Sequence, residues 1–339
     1  MSSAAAALYP TEPGLAVARI THSVVDPEFI REQVEERYPL KGPFECFLLY
    51  RGMNDVYLVQ GAEDRYAVRV WRKTYRGVDE VSLELNFLDF LRERGFPASY
   101  PFRTHDGELY FKINSPEGVR AVALYSWAPG KKFGDMLDVG TAERIGAAFA
   151  EMHLLGREFH GDKPYSTDNA VRFQVNVPPL LDFVYDRPDD LRDYAIIAER
   201  LTAKLIDIQS EDVPMGICHC DFHPSNVHVD EKGTITLLDF DGTGEDYMMQ
   251  DVKNFVWGNL FYGFSDTIGE GFERGYESVR PFTEAEKNYG ELFLMAKAFR
   301  LVSGMAHSSS AVGRGTLRFR NLDWLGDYIK TRARPLGLL

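Results

Sequence analysis

Cysteine is scarce: across 339 residues only Cys46, Cys218 and Cys220 occur. An odd, low count cannot build a disulfide framework and fits a reducing compartment, so a cytoplasmic protein is expected. Positive charge is also in deficit. There are 38 Lys and Arg against 51 Asp and Glu, a net charge of −13, which argues against a nucleic-acid or anionic-membrane surface. No run of about 18 uninterrupted apolar residues exists, so no spanning helix is expected. The Ala-rich start, Met1 to Pro13, lacks a basic segment and a long apolar core, and reads as a tail and not a signal peptide. No internal repeat and no signal for oligomeric state is present. What remains, 45% hydrophobic and 26% charged, is an ordinary globular chain, long enough for two domains or one bilobal unit.

The hydrophobic pattern divides the chain. Asp26 caps and Pro27 opens a helix running to Glu36. Phe44 to Tyr50 and Asp55 to Gln60 read as strands around the turn Arg51-Gly52-Met53-Asn54, and Tyr66 to Trp71 alternates as a third. Val78 to Arg94 reads as a helix closed by Gly95-Phe96-Pro97, and Glu108 to Ile113 and Ala121 to Trp127 as two further strands. Ala128-Pro129-Gly130 then breaks the chain. Helices are expected over Thr141 to Phe159, Leu191 to Ile208 and from about Gln250 onward, with short strands at Ile217 to Cys220 and Thr236 to Asp239. The expected architecture is α+β and bilobal: a tail over 1–25, a strand-rich lobe over 26–127 and a helical lobe over 128–339.

Between the two short strands lies His219-Cys220-Asp221-Phe222-His223-Pro224-Ser225-Asn226, and after the second comes Asp239-Phe240-Asp241-Gly242-Thr243. A carboxylate in a loop after a strand can orient an attacking hydroxyl, which suits Asp221. Asn226 and Asp239 offer the hard oxygen ligands that Mg²⁺ takes, alongside water and nucleotide phosphates. Any one of these alone is an ordinary loop residue. Together, between two strands, they match phosphoryl transfer. Asp239 to Thr243 also matches the D-x-D-G-T motif of haloacid-dehalogenase-type phosphatases, with Asp239 as nucleophile and Asp241 as acid. Against that reading, only 98 residues follow Asp241 and they show no βα alternation. Cys218, His219, Cys220 and His223 match no common zinc spacing, and strand alternation turns His219 away from both thiols. Upstream, Arg69 sits mid-strand and Glu84 on the next helix, the strand-cation and helix-carboxylate arrangement of kinases. Gly52 and Asn54 place a turn whose N–H groups can meet phosphate, or a plain hairpin.

His219-x-Asp221 with Asn226, then Asp239-Phe240-Asp241, resembles the aminoglycoside phosphotransferase and choline-kinase-like family, over roughly residues 40–335. The resemblance is also to type II homoserine kinases and a bacterial stress-response kinase. It implies a protein-kinase-like fold with a five-stranded antiparallel N-lobe sheet, a hinge at 126–130 and a helical C-lobe. It further implies ATP and Mg²⁺ as cofactors, Asp221 as catalytic base, Asn226 and Asp239 as metal ligands and Asp241 near a second metal. Arg69, Glu84 and Asn54 would serve the nucleotide, with adenine near Tyr125 and Trp127. Asp251 would brace the catalytic loop. Two departures stand out: Cys220 replaces the family's usual Gly, and Arg69 replaces its frequent Lys.

The expected reaction is transfer of the γ-phosphate to the hydroxyl of a small molecule. The competing readings are a protein Ser/Thr kinase, disfavoured because 239–251 is too short for an activation loop, and an inactive nucleotide-binding module. Asp182, Asp186, Asp189 and Asp190 either favour a cationic acceptor or form a solvated loop. Trp257, Phe261 and Tyr262 read as core at helical spacing, or as pocket lining. Arg300 and His307 are candidates to read an acceptor carboxylate.

Overall fold

The computed structural model describes residues 16, 18–73, 81–161, 177–182, 184–312 and 322–339, with side chains left out at 302–312 and 322–323. The chain forms two compact units, Met1–Val78 with Arg103–Leu124, and Asp79–Phe102 with Tyr125–Leu339.

The first unit opens with α1 (Pro27–Arg37), where the Asp26 carboxylate accepts the N–H of Glu28 and Pro27 occupies the first turn. A five-stranded sheet follows, β1 (Glu45–Arg51), β2 (Asp55–Gln60), β3 (Arg65–Val70), β4 (Phe111–Ser115) and β5 (Gly118–Ser126), in the order β1-β2-β3-β5-β4. The pairs β1/β2, β2/β3 and β4/β5 are antiparallel. Tyr57, Val59, Val68 and Val70 alternate into the core. β4 starts later than the expected Glu108, because Glu108 belongs to a turn: Thr104 N–H bonds to its carbonyl, and its own N–H bonds to Thr104 Oγ1. Arg120 on β5 is fully buried. It donates to Asp55 Oδ2 at 2.8 Å and to the carbonyls of Trp71 and Ser23.

The second unit contains the helices α2 (Val81–Glu93), α3 (Val139–Gly156), α4 (Pro188–Asp207), α5 (Met248–Tyr262), α6 (Asp266–Val279), α7 (Glu284–Val312) and α8 (Leu322–Ala333). α3 and α6 cross in close contact. A Cβ at Gly146 would come 2.0 Å from the Phe272 carbonyl oxygen, and one at Gly275 would come 1.9 Å from that of Glu143. Two small sheets lie among the helices: β7 (Met215–Cys218) with β10 (Gly244–Tyr247), and β6 (Lys131–Lys132), β8 (Val227–Val229) and β9 (Ile235–Leu237) in that order. β6, β8 and β10 were not expected, since strands of two to four residues carry too little alternation to read. Stacked rings form the base of this region, Phe149 on Phe222 at 4.1 Å and Phe255 on Phe272 at 4.0 Å. No described helix is long and apolar enough to cross a membrane.

Candidate active site

The loop leaving β7 is held from beneath by one buried carboxylate. Asp251, on α5, accepts the N–H of His219 at Oδ2 (2.7 Å) and that of Cys220 at Oδ1 (2.8 Å). His153 Nε2 lies 3.1 Å from Oδ2, and its Nδ1 faces the Tyr276 hydroxyl at 2.6 Å. Burial alone would push the Asp251 carboxyl up, but the bonds from His153 and the loop outweigh it, and the net is below the ordinary 3.8.

Cys220 has φ of 62°, in the left-handed region, and so does Asp239. Those are the only non-glycine positive-φ residues among the described ones, and both border the motif. Left-handed backbone favours glycine, which accounts for the residue usual at position 220. Here the thiol side chain is retained by packing: Cys218, Cys220 and Met248 form a buried apolar cluster. Burial pushes the Cys218 thiol well up.

The two halves of the motif are tied through their backbones. Asp221 N–H points at His219 Nδ1 (3.4 Å), which leaves Nε2 to donate to the Leu238 carbonyl at 2.8 Å. Leu238 N–H bonds to the Asn226 carbonyl at 2.9 Å. Gly242 passes so close that a Cβ would meet the His219 carbonyl oxygen at 2.6 Å. Asn226 is buried within a 3₁₀ turn, Pro224–Asn226, and its Nδ2 donates to the Asp221 carbonyl at 3.0 Å. That bond fixes the amide so that Oδ1 is the atom it can offer a cation. Asp239 is exposed two residues past β9, and Asp241 is buried on the turn Phe240–Gly242 that follows. One amide oxygen and an exposed carboxylate are a donor set suited to Mg²⁺.

Asp221 has a partner that sequence patterning missed. Lys297, on α7, donates from Nζ to Asp221 Oδ1 at 2.7 Å. The lysine is 76 residues away on a helix, in no motif. The Asp221 side chain keeps 49% of its surface open, yet enough protein surrounds it that burial opposes its ionisation. Lys297 and His223 more than offset this, and its pKa is lowered. Burial pushes His223 down.

Other expected site residues fall as follows. Arg69 is on β3 in the first unit, with its guanidinium 5.7 Å from the Trp71 ring centroid. Glu84 is fully buried on α2 in the second unit, where Oε1 accepts the Tyr125 hydroxyl at 3.1 Å. Asn54 is buried. Its Oδ1 accepts the N–H of Arg72 and its carbonyl that of Gly52, so the side chain ties its turn to the end of β3. At the expected hinge, Ser126 N–H bonds to the Tyr100 carbonyl, the Ser126 carbonyl accepts the Ser99 hydroxyl, and Trp127 is half-buried.

The acidic stretch is partly spent on internal pairs. Asp190 accepts from Lys330 and Arg187, and Asp189 from Arg192. Trp257 is core, packed against Tyr328. The His307 side chain lies outside the described residues. The phosphatase reading of Asp239 and Asp241 fails, because it requires a parallel α/β domain and the named strands of this unit pair antiparallel. A zinc site fares no better. His153, Cys218 and Asp251 cluster closely, but their donor atoms are engaged with one another, Tyr276 and the Asp246 carbonyl.

A family model described as "Phosphotransferase enzyme family" matches residues 52–287. An uncharacterized protein of Synechocystis sp. is 30% identical over 275 residues, 79% of this chain and 74% of that one. A homoserine kinase of Phenylobacterium zucineum is 24% identical, covering 78% of this chain and 80% of its own. Among solved structures, an amicoumacin kinase in complex with AMP-PNP, Ca²⁺ and Ami has a TM-score of 0.69 at 17% identity, covering 90% of this chain and 94% of its own. A microcompartment-associated aminopropanol kinase has 0.66 at 19%, with the same coverage. These structural likenesses establish the bilobal α+β kinase-like fold.

Proposed function

Because this chain belongs to the phosphotransferase enzyme family, we propose that it is an ATP- and Mg²⁺-dependent kinase that phosphorylates the hydroxyl of a small molecule. Residues 26–127 would form the nucleotide lobe, and 128–339 the lobe with the catalytic loop and acceptor site. The observation that carries this reading is the half-open Asp221 carboxylate, on a loop clamped by Asp251 and tied to Asn226 and the Asp239 turn.

In the proposed reaction, the acceptor hydroxyl donates its hydrogen bond to Asp221. The acceptor oxygen forms a bond to the γ-phosphorus as the bond from that phosphorus to the bridging oxygen breaks, leaving its electron pair on ADP. The hydroxyl proton passes to Asp221 and then to water. Such transfers depend on positioning and charge stabilisation, with little covalent work for the protein. The depressed pKa of Asp221 suits a carboxylate that orients the hydroxyl and takes its proton late. Asn226 Oδ1 and Asp239 would hold Mg²⁺, with Asp241 supporting a second ion, and bound metal would neutralise the phosphates. Arg69 would meet the nucleotide phosphates bidentately where Lys offers a point charge. Asn54 would shape the phosphate-facing turn, and adenine would lie near Tyr125 and Trp127. With Ser126 engaged by Tyr100 and Ser99, Trp127 is the position whose backbone we assign to the base.

The test is a screen of amino alcohols, hydroxy amino acids, aminoglycosides and sugars for ATP-dependent phosphomonoester formation, with Asp221→Asn as control. Phosphate appearing on added protein and on no small alcohol would favour a protein kinase instead.

A further inference from the structure

Lys297 is a charged side chain with only 11% of its surface open, yet among the described residues its one hydrogen bond goes to Asp221. An ammonium carries three N–H donors. Two of them meet no acceptor among the described residues, and a charge so far from water is costly unless its donors are met. One turn along the same helix, Arg300 is also nearly buried, with Nη1 3.8 Å from the Asp246 carboxylate. Thus α7 carries two nearly buried cations at i and i+3, Lys297 against Asp221 and Arg300 near Asp246.

Because Lys297 occupies Oδ1 of Asp221, an acceptor hydroxyl would approach Oδ2. Two hydrogen bonds of ordinary length to one carboxylate put the hydroxyl oxygen about 5 Å from Nζ. A group within about three carbons of the hydroxyl can then reach the ammonium. An amine there would meet like charge, whereas a carboxylate would satisfy the spare donors. Within the acidic stretch, Asp189 and Asp190 are already paired with Arg192, Arg187 and Lys330.

We propose that Lys297 is an acceptor-binding residue and that the acceptor is a hydroxy acid, with its carboxylate near the reacting hydroxyl. This rests on the phosphotransferase reading above and narrows it, removing aminoglycosides and plain amino alcohols from the candidates.

The test uses acceptor pairs that differ by the carboxylate: serine with ethanolamine, homoserine with 3-aminopropan-1-ol, and glycerate with ethylene glycol. Phosphoryl transfer from Mg-ATP is followed by phosphorus NMR for the full chain, Lys297→Met and Lys297→Arg, with folding checked by thermal melts. In at least one pair the wild type should favour the acid by about tenfold or more in kcat/KM. Lys297→Met should abolish that preference chiefly through KM, and Lys297→Arg should retain it. Should Lys297→Met not fold, Lys297→Gln takes its place.

Wild-type turnover confined to carboxylate-free acceptors overturns the inference while leaving the kinase reading intact. So does an equal loss in Lys297→Met on every acceptor and on ATP hydrolysis without one, which would assign the lysine to Asp221 or the phosphoryl group. No transfer to any small hydroxyl overturns both.

Discussion

The Asp251 carboxylate bonds to the backbone N–H of Cys220 at 2.8 Å, and Cys220 stands in the left-handed conformation at φ of 62°. The first fact explains how the second is tolerated. A residue at positive φ costs about 1–2 kcal/mol unless it is glycine, and persists where surrounding contacts over-determine it. Here two N–H bonds to Asp251 and the apolar cluster with Cys218 and Met248 do so. Asp221, the next residue, is aimed as a result.

Removing the clamp should therefore cost both stability and activity. Asp251→Ala leaves two buried N–H groups and His153 without their acceptor, and is expected to lower unfolding free energy by about 4 kcal/mol. Urea melts check this. The pH dependence follows from the sign of the shift. The carboxyl titrates lower in the folded chain than the ordinary 3.8, so its stabilisation is present above that pH and is lost as pH falls through the folded value. Wild-type stability should decline on acidification below pH 4 more steeply than that of Asp251→Asn.

Position 220 separates backbone strain from packing. In Cys220→Gly the relief of strain offsets the lost burial of the thiol, and stability is expected to stay within about 1 kcal/mol with transfer activity retained. Cys220→Val places a β-branched side chain at positive φ and should lose about 3 kcal/mol. Thermal melts of the two variants, read beside their turnover, give the comparison.

Much of this was legible in the chain, and the exceptions have physical reasons. The alternation of Asp55 to Gln60 and Tyr66 to Trp71 marked β2 and β3 because one face of each enters a core. Asp26 and Pro27 marked α1 because capping is local. β6, β8 and β10 escaped because they are too short to have a period. Lys297 escaped because a contact spanning 76 residues leaves no spacing to read. The value of Gly at 220 could be stated from the resemblance, but the φ that explains it is a property of the folded loop.

The first unit has its own test. Arg120 and Asp55 form an ion pair with both side chains fully buried. Arg120→Met alone leaves the Asp55 charge with His22 as its remaining side-chain partner and should cost about 3 kcal/mol, while Arg120→Met with Asp55→Leu should recover part of that. Denaturant midpoints of the two single variants and the double variant form the cycle.

Metal dependence should follow Asn226 and Asp239. Asn226→Ala or Asp239→Asn is expected to reduce transfer by about 100-fold or more, and to raise the Mg²⁺ concentration needed for half-maximal rate. Magnesium titrations of initial rate check both. Asp239→Asn should keep a melting temperature close to the wild type, whereas Asn226→Ala also loses the bond to the Asp221 carbonyl and should melt about 2–4 °C lower.

The most direct measurement is phosphorus NMR of Mg-ATP with the acceptor panel, run side by side on the wild type and Asp221→Asn. The expected result is a new phosphomonoester resonance growing in step with ADP in the wild type, slowed by about 100-fold or more in the variant. Transfer that persists undiminished in Asp221→Asn, or ATP loss that yields inorganic phosphate alone with every acceptor, would contradict a kinase built on Asp221.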